Sequence, residues 1–423
     1  MVSDATREYR PKSRKNKDGD RFLDSRTKSV YFGVVKKQIL LRKHEDGRIL
    51  QGHQWVFSNE IASVRGTPEA GDVVEILRSD ERFLGIGFYH PHSLIAVRVL
   101  STADDVVDQA FFERRISIAE RMRRRIYPGF ESFRLVHGES DYLPGLVIDK
   151  YNEVLVLQAF SAGMERRLPM ICDALESLYH PRAIVARNDL PMRTLEQLPL
   201  ENQVLRGTAE PTIIEEYGVK FKVDPLRGQK TGFFLDQREN RRRAMQYMAG
   251  RTVLDCFCNE GGFSMHTAAG HARAIEGIDA SADAIANAQV NATLNSVTSA
   301  AFATADAFDR LREYQTERRR FDAIILDPPS FTRSKKTVAT ALKGYRQINY
   351  LALTLVNPEG ILVTASCSHH IGEDDFLGTV QRAANKAQRK VQLLEFHGAA
   401  PDHPTLPAMP ETTYLKFAIF SVL

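Results

Sequence analysis

From Val253 onward, short apolar runs alternate with longer segments of helical periodicity. Strands are expected at Val253–Phe257, Ala274–Ile278, Ala301–Ala305, Ala323–Leu326 and Ile361–Ala365. Helices are expected at Phe263–Ala269, Ser281–Leu294, Phe308–Arg318, Gly344–Leu355 and Asp374–Arg389. Such alternation implies parallel strands joined by right-handed crossovers, a doubly wound α/β sheet. No long helix separates the closing segments Val391–Phe396 and Tyr414–Val422, so these should pair antiparallel at the sheet edge.

The pattern upstream is different. Lys37–Leu41, Asp72–Leu77, Phe83–Tyr89 and Ile95–Leu100 read as short strands between Gly-rich and polar turns, which suggests a small barrel. A helix near Phe111–Arg125 follows. Next comes a hairpin of Leu146–Asp149 with Val154–Phe160, turned at Tyr151-Asn152-Glu153, and then a helix over Met164–Tyr179. The expected organisation is a basic tail over 1–35, a small β-barrel domain over 36–103, an α+β middle domain over 104–210 and the α/β domain over 211–423.

Composition narrows the setting. The chain has 423 residues, 43% hydrophobic and 26% charged, ordinary values for a chain that buries a real core. No apolar run is long enough to span a membrane, and the N-terminus lacks the apolar core of a signal peptide. The cysteines, Cys172, Cys256, Cys258 and Cys367, are too few and scattered for a disulfide framework, so a reduced, cytoplasmic setting is expected. Cys256 and Cys258 lack a second pair, and no metal site is expected.

Net charge is only +4, but the basic residues cluster. Residues 7 to 28 carry nine Lys or Arg, and Arg114 to Arg125 carries six Arg on an expected helix. Such clusters can neutralise RNA phosphates, or can be solvated faces.

In a doubly wound sheet, ligands sit beyond the carboxyl ends of the strands. The acids fall there. Asp255 belongs to the end of the first strand, Asp279 to the second, Asp306 to the third and Asp327 to the fourth. Gly261-Gly262 allow close backbone approach to a ligand. Asp279 follows Asp255 at close to the roughly 20-residue spacing at which an acid accepts ribose hydroxyls. The loop Cys256-Phe257-Cys258-Asn259-Glu260-Gly261-Gly262 spells no dinucleotide fingerprint and has no phosphate-binding Lys-Ser or Lys-Thr pair. A nucleoside cofactor without phosphate, S-adenosyl-L-methionine, fits better.

Asp327-Pro328-Pro329-Ser330-Phe331 follows the fourth strand. The prolines stiffen a loop at the mouth of the site, and Pro328, Pro329 and Phe331 are expected against a flat base. The fifth strand ends in Ser366-Cys367-Ser368, which places Cys367 as a nucleophile. Carbon 5 of a pyrimidine is a poor nucleophile until a thiolate adds at carbon 6 and makes the ring enamine-like.

At these residues the sequence resembles the bacterial RlmI-type family of large-subunit ribosomal RNA cytosine-5 methyltransferases, from about residue 37 to the end. The resemblance rests on Lys230-Thr231-Gly232-Phe233-Phe234-Leu235-Asp236-Gln237-Arg238, the Asp255 loop with Gly261-Gly262-Phe263, Asp327-Pro328-Pro329-Ser330-Phe331, Ser366-Cys367-Ser368 and Asp402-His403-Pro404. It implies a class I methyltransferase sheet behind an N-terminal PUA domain, a small RNA-binding barrel for which Gly52-His53-Gln54-Trp55-Val56-Phe57 looks like the opening. By the same resemblance Cys367 is the nucleophile and Asp327 lies against the target base. Gln237, Phe257, Asp279 and Asp306 then contact the cofactor beside Asp255 and Gly261, and Asp327 borders it. The partner implied is ribosomal RNA or a ribosomal assembly particle, and an exposed barrel edge leaves a homodimer open. The Pro-Pro loop has no second cysteine, so the group that removes the carbon-5 proton is unassigned.

The rival reading is a methyltransferase acting on a purine nitrogen, in which Cys367 is inert. Such enzymes often place an aromatic directly after the Pro-Pro pair, where this chain has Ser330. A non-catalytic RNA-binding protein on the same fold is the alternative from another class.

Overall fold

A computed structural model describes residues 36–332 and 334–423; the expected basic tail lies outside the described residues. The first sheet contains β1 (Gln38–Leu41), β2 (Trp55–Phe57), β3 (Ile61–Arg65), β4 (Val73–Leu77), β5 (Phe83–Tyr89) and β6 (Ile95–Ser101), with the one-turn helix α1 (Gly47–Leu50) after β1. Its order is β2-β6-β5-β4-β1-β3, closed over Ile39, Val56, Ile76 and Val97. Strands β2 and β3 were not among the expected ones. The first has three residues and the second is largely exposed, so neither carries an apolar alternation.

The middle region opens with α2 (Gln109–Ile126), then β7 (Ser132–His137), β8 (Leu146–Tyr151) and β9 (Val154–Ala159). It continues through α3 (Ala162–Glu165), α4 (Leu168–Tyr179), β10 (Ala183–Asn188) and β11 (Glu201–Gly207). These strands make one sheet in the order β11-β10-β9-β8-β7. The β8–β9 hairpin turns as expected, with Asn152 left-handed at φ 55°. Side chains from α2 and α4 join the core on one face of this sheet. Its other face packs Tyr151, Val156 and Val185 against the hairpin β12 (Thr212–Glu216) and β13 (Val219–Val223), with Phe233 and Met265.

The last sheet follows α5 (Arg238–Met245). Its elements are β14 (Thr252–Cys256), α6 (Gly262–Ala269), β15 (Ala274–Asp279), α7 (Ala282–Leu294), β16 (Ala300–Thr304), α8 (Ala307–Thr316), β17 (Phe321–Leu326), α9 (Val338–Leu355), β18 (Val356–Ser366), α10 (Glu373–Lys386), β19 (Val391–His397) and β20 (Lys416–Val422). The order is β16-β15-β14-β17-β18-β20-β19, with β20 antiparallel to both neighbours. The doubly wound sheet and its antiparallel edge are thus as expected. Helix α9 begins six residues before the expected start because Ala341 and Leu342 already face the core. Among the described residues no helix is long and apolar enough to cross a membrane.

The basic helix is not a free cationic face. Arg123 is fully buried and paired with Asp141 at 2.5 Å, Arg124 reaches Glu131 at 2.7 Å, and Arg115 donates to the Leu100 carbonyl at 3.2 Å. Arg121 and Arg125 remain exposed.

Candidate active site

The site forms where the winding of the sheet reverses. From β14 the chain winds outward through β15 and β16, and from β17 it winds the other way through β18. The crevice therefore opens at the carboxyl ends of β14 and β17. Cys256 pairs with Ile278 and with Leu326, and Leu326 with Thr364, so Asp255, Asp279, Asp327 and Cys367 all belong to one edge.

The loop after β14 is held in an unusual conformation. Phe257, Asn259 and Gly261 all have positive φ, at 63°, 49° and 79°. For a bulky residue such as Phe257 this region is costly and clusters at ligand sites. At Gly261, the N-cap of α6, it favours glycine. The Asp279 carboxylate fixes the loop by accepting the Asn259 N–H at 3.0 Å and the Ser281 N–H at 2.9 Å.

Asp255 is almost wholly buried. Ser264 Oγ donates to its Oδ2 at 2.6 Å, while its Oδ1 is buried without a partner. Burial first, then the nearby Asp327, pushes its pKa up to about 7. A buried carboxylate oxygen with no donor suits a ligand carrying a positive charge and N–H groups.

Asp327 is in the same condition. Burial, with Asp236 beside it, pushes its pKa up to about 7, against a hydrogen bond from Gln237. Asn240 Nδ2 donates to Gln237 Oε1 at 2.7 Å, which leaves the Gln237 amide N–H groups to face Asp327. Burial also raises Asp236, yet Lys230, His403 and the Tyr414 hydroxyl, at 2.7 Å, hold it below the usual carboxylate range.

Cys367 is half-buried at the tip of β18. Burial raises its thiol to about 11, Asp327 and Asp236 add to this, and Lys230 opposes it. Behind it, Ser368 Oγ lies 2.9 Å from the Tyr345 hydroxyl and 3.0 Å from Ser330 Oγ. The cysteine turn and the Pro-Pro loop are therefore joined.

The expected residues separate into two sets. Asp255, Asp279, Asp327, Gln237, Cys367 and Gly261 lie together at the carboxyl edge of the sheet, with Pro329 exposed and Pro328 buried. Phe331 instead turns inward, its ring 4.5 Å from that of Tyr345 and against Gly344. Asp306 is exposed and caps α8, accepting the Asp309 N–H at 3.0 Å, which is the plain role a helix-cap acid has. Cys256 and Cys258 are buried free thiols, and the described residues contain no cluster fit to hold a metal.

Lys230, Asp236, Tyr345 and Lys416 were not singled out for a role. Lys230 and Asp236 stood within the Lys230–Arg238 run of the resemblance, and Lys416 stood as a charge at the start of the apolar run Phe417-Ala418-Ile419-Phe420.

Comparison with known proteins agrees with this geometry. Residues 39–102 match the PUA-like domain and residues 134–419 the S-adenosylmethionine-dependent methyltransferase family. A protein of Shewanella denitrificans named ribosomal RNA large subunit methyltransferase I is 40% identical over 387 residues, covering 90% of this chain and 98% of the relative. One of the same name from Pseudoalteromonas atlantica is 39% identical over 395 residues, covering 92% and 100%. A solved structure of a candidate SAM-dependent methyltransferase from Streptococcus mutans superimposes with a TM-score of 0.78 at 19% identity, covering 91% of this chain and 99% of that one. A further candidate methyltransferase, solved in complex with SAH, gives 0.79 at 19% identity over the same shares. Both share the fold.

Proposed function

The chain belongs to the S-adenosylmethionine-dependent methyltransferase family, and within it to the ribosomal RNA large subunit methyltransferase I proteins; from that premise we propose that it forms 5-methylcytosine in large-subunit ribosomal RNA through a covalent adduct of Cys367. The observation that carries this reading is the placement of a thiol and a protonatable carboxyl, Cys367 and Asp327, on adjacent strand tips of one crevice.

S-adenosyl-L-methionine supplies an electrophilic methyl on a sulfonium. Asp255, with its partnerless Oδ1, fits the cationic end of that molecule, Asp279 the ribose, and the left-handed loop Phe257–Gly261 the adenosine. Asp327 near pH 7 is poised between acid and base, so it can donate to cytosine N3 while Cys367 adds at C6. Negative charge then builds on the ring where a proton is already offered, and C5 becomes nucleophilic. C5 takes the methyl as the bond from that methyl to the sulfonium sulfur breaks. The C5 proton then passes to water, the C6–S bond breaks to release the thiolate, and N3 returns its proton to Asp327, which restores the aromatic ring. The domains expected at 36–103 and 104–210 would present the RNA to this crevice.

The test is methylation of unmodified large-subunit ribosomal RNA with labelled cofactor, followed by nucleoside analysis. Label in 5-methylcytidine, absent with Cys367→Ala, is the expected result. Label in a methylated purine that survives the substitution would overturn the cysteine mechanism in favour of nitrogen methylation.

A further inference from the structure

Three aromatic rings run in series from the middle sheet to the cysteine turn. His137, the last residue of β7, lies 6.5 Å from Tyr414, and Tyr414 lies 5.4 Å from His369, with tilts of 35° and 36°. His137 and Tyr414 are half-buried, whereas His369, the last ring of the series, is exposed. It stands two residues beyond Cys367, so the two Cα atoms are within about 7 Å of each other.

The end of this series is held in place by the backbone beneath it. Lys416 Nζ, which is buried, donates to the Ser368 carbonyl at 2.6 Å and to the Tyr414 carbonyl at 2.7 Å. One side chain thus ties together the two backbone segments that carry His369 and Tyr414. Ser368 is fixed further through its hydroxyl, 2.9 Å from that of Tyr345 and 3.0 Å from Ser330 Oγ in the Pro-Pro loop. The Tyr414 hydroxyl donates to Asp236 Oδ2 at 2.7 Å, which anchors the far end of its ring.

Burial, then Lys416 and His370, hold the His369 imidazole below its ordinary value, so at neutral pH the ring is uncharged. Among the described residues no aromatic ring other than Tyr414 lies against it. A pre-positioned, exposed aromatic face suits another flat π-system.

We propose that His369, backed by Tyr414, is a stacking shelf for the base next to the target cytosine in the RNA strand. This rests on the reading of Cys367 as nucleophile toward a cytosine and adds to it a contact outside the target base. The target base must leave its stack to bring C6 against Cys367. Its neighbour then loses a stacking partner, and an aromatic side chain can replace it. His369 is the aromatic residue nearest to the nucleophile along the chain. The neighbouring base extends the series His137, Tyr414, His369 by one member. Stacking of this kind accepts any base and favours the larger face of a purine.

The test is methylation kinetics on a short synthetic RNA centred on the nucleotide that the enzyme methylates. Two further RNAs carry an abasic residue on its 5′ or its 3′ side. With wild-type protein one of these should raise KM about tenfold and leave kcat nearly unchanged, the loss of one stacked base. His369→Ala should raise KM on the intact RNA by a similar factor and bind that abasic RNA no worse than the intact one. His369→Phe keeps a ring and should restore the wild-type pattern. A wild-type protein indifferent to both abasic RNAs overturns the proposal without recourse to any variant. So does an abasic penalty in His369→Ala as large as in wild type, or a His369→Phe protein no better than His369→Ala. Failure of the nucleophile reading looks different: Cys367→Ala would methylate normally, whatever the abasic RNAs show.

Discussion

Asp255, Glu260 and Asp327 share a condition that sets how this protein responds to pH. Burial raises each to about 7, and their hydrogen bonds, from Ser264, Asn287 and Gln237, do not restore them to ordinary values. An unfolded Asp ionises near about 3.9. Between roughly pH 4 and pH 7 the folded state therefore holds more protons than the unfolded one, and stability falls as pH rises. For Asp255 the loss amounts to up to roughly 4 kcal/mol, complete above about pH 7. The cofactor-free protein should melt at lower temperature at pH 8 than at pH 5, and Asp255→Asn should flatten that dependence. An Asp255→Asn protein whose melting temperature falls as steeply as wild type would contradict the assignment. Cofactor binding should run the other way, since a cationic ligand favours the ionised carboxylate. Affinity measured by calorimetry should rise through pH 7 in wild type, and be weaker and flatter in Asp255→Asn.

Among the elements, what could be read in advance depended on burial geometry. The strands β14, β15 and β17 announce themselves because helices separate them at regular intervals, and their terminal acids mark the crevice. Strand β10 escapes because both faces are buried, so Ala183–Asn188 shows no alternation. Edge strand β11 escapes for the opposite reason, being mostly exposed and polar. The hairpin β12–β13 turns at Tyr217-Gly218 with φ 51° and 84°, a signal too short to weigh without its packing. Of the candidate site, the strand-tip placement of Asp279 and Cys367 was legible in the sequence, whereas Lys230 and Asp236 come near Cys367 only through tertiary folding. Between the barrel and the middle sheet, Gly71 and Gly163 permit the close approach. A Cβ on Gly163 in α3 would stand 2.0 Å from the Phe88 ring carbon Cγ of β5. Overpacking of this kind costs about 1–3 kcal/mol. Gly163→Ala should lower the melting temperature and speed hydrogen exchange in β5 and β6, while leaving cofactor affinity close to wild type. Unchanged exchange there would mean that the contact relaxes freely.

Across the whole molecule, the segment Ala400–His403 joins the methyltransferase sheet to the middle sheet through buried charge. Asp402 Oδ2 accepts the Arg134 N–H of β7 at 3.0 Å and lies 3.8 Å from the Arg238 guanidinium of α5. The Asp402 carbonyl accepts from Arg123 of α2 at 2.8 Å, and the Ala400 N–H donates to the backbone of Asp236 at 2.8 Å. Arg238 also pairs with Glu216 at 3.1 Å, so β7 and α5 meet at the Asp402 carboxylate while α2 reaches its carbonyl. Removing one member of a buried ionic cluster leaves the others desolvated and uncompensated, at a cost of about 3–5 kcal/mol. Asp402→Ala leaves Arg238 with Glu216, a carboxylate that Arg241 already shares, and leaves the Arg134 N–H without its acceptor. The expected result is a urea midpoint lowered by that amount. The transition should also divide in two, because the junction that makes the sheets unfold together has been weakened. Asp402→Asn keeps the hydrogen bond to Arg134 but not the charge, and should fall between the two. A single transition with wild-type midpoint in Asp402→Ala would show that apolar contacts across the sheet face, through Tyr151 and Phe233, carry the coupling instead. The distinction bears on the reaction, since Asp236 and Gln237 sit where this junction meets the crevice. If the charged junction sets their position, Asp402→Ala should lower kcat at temperatures where the protein is still fully folded.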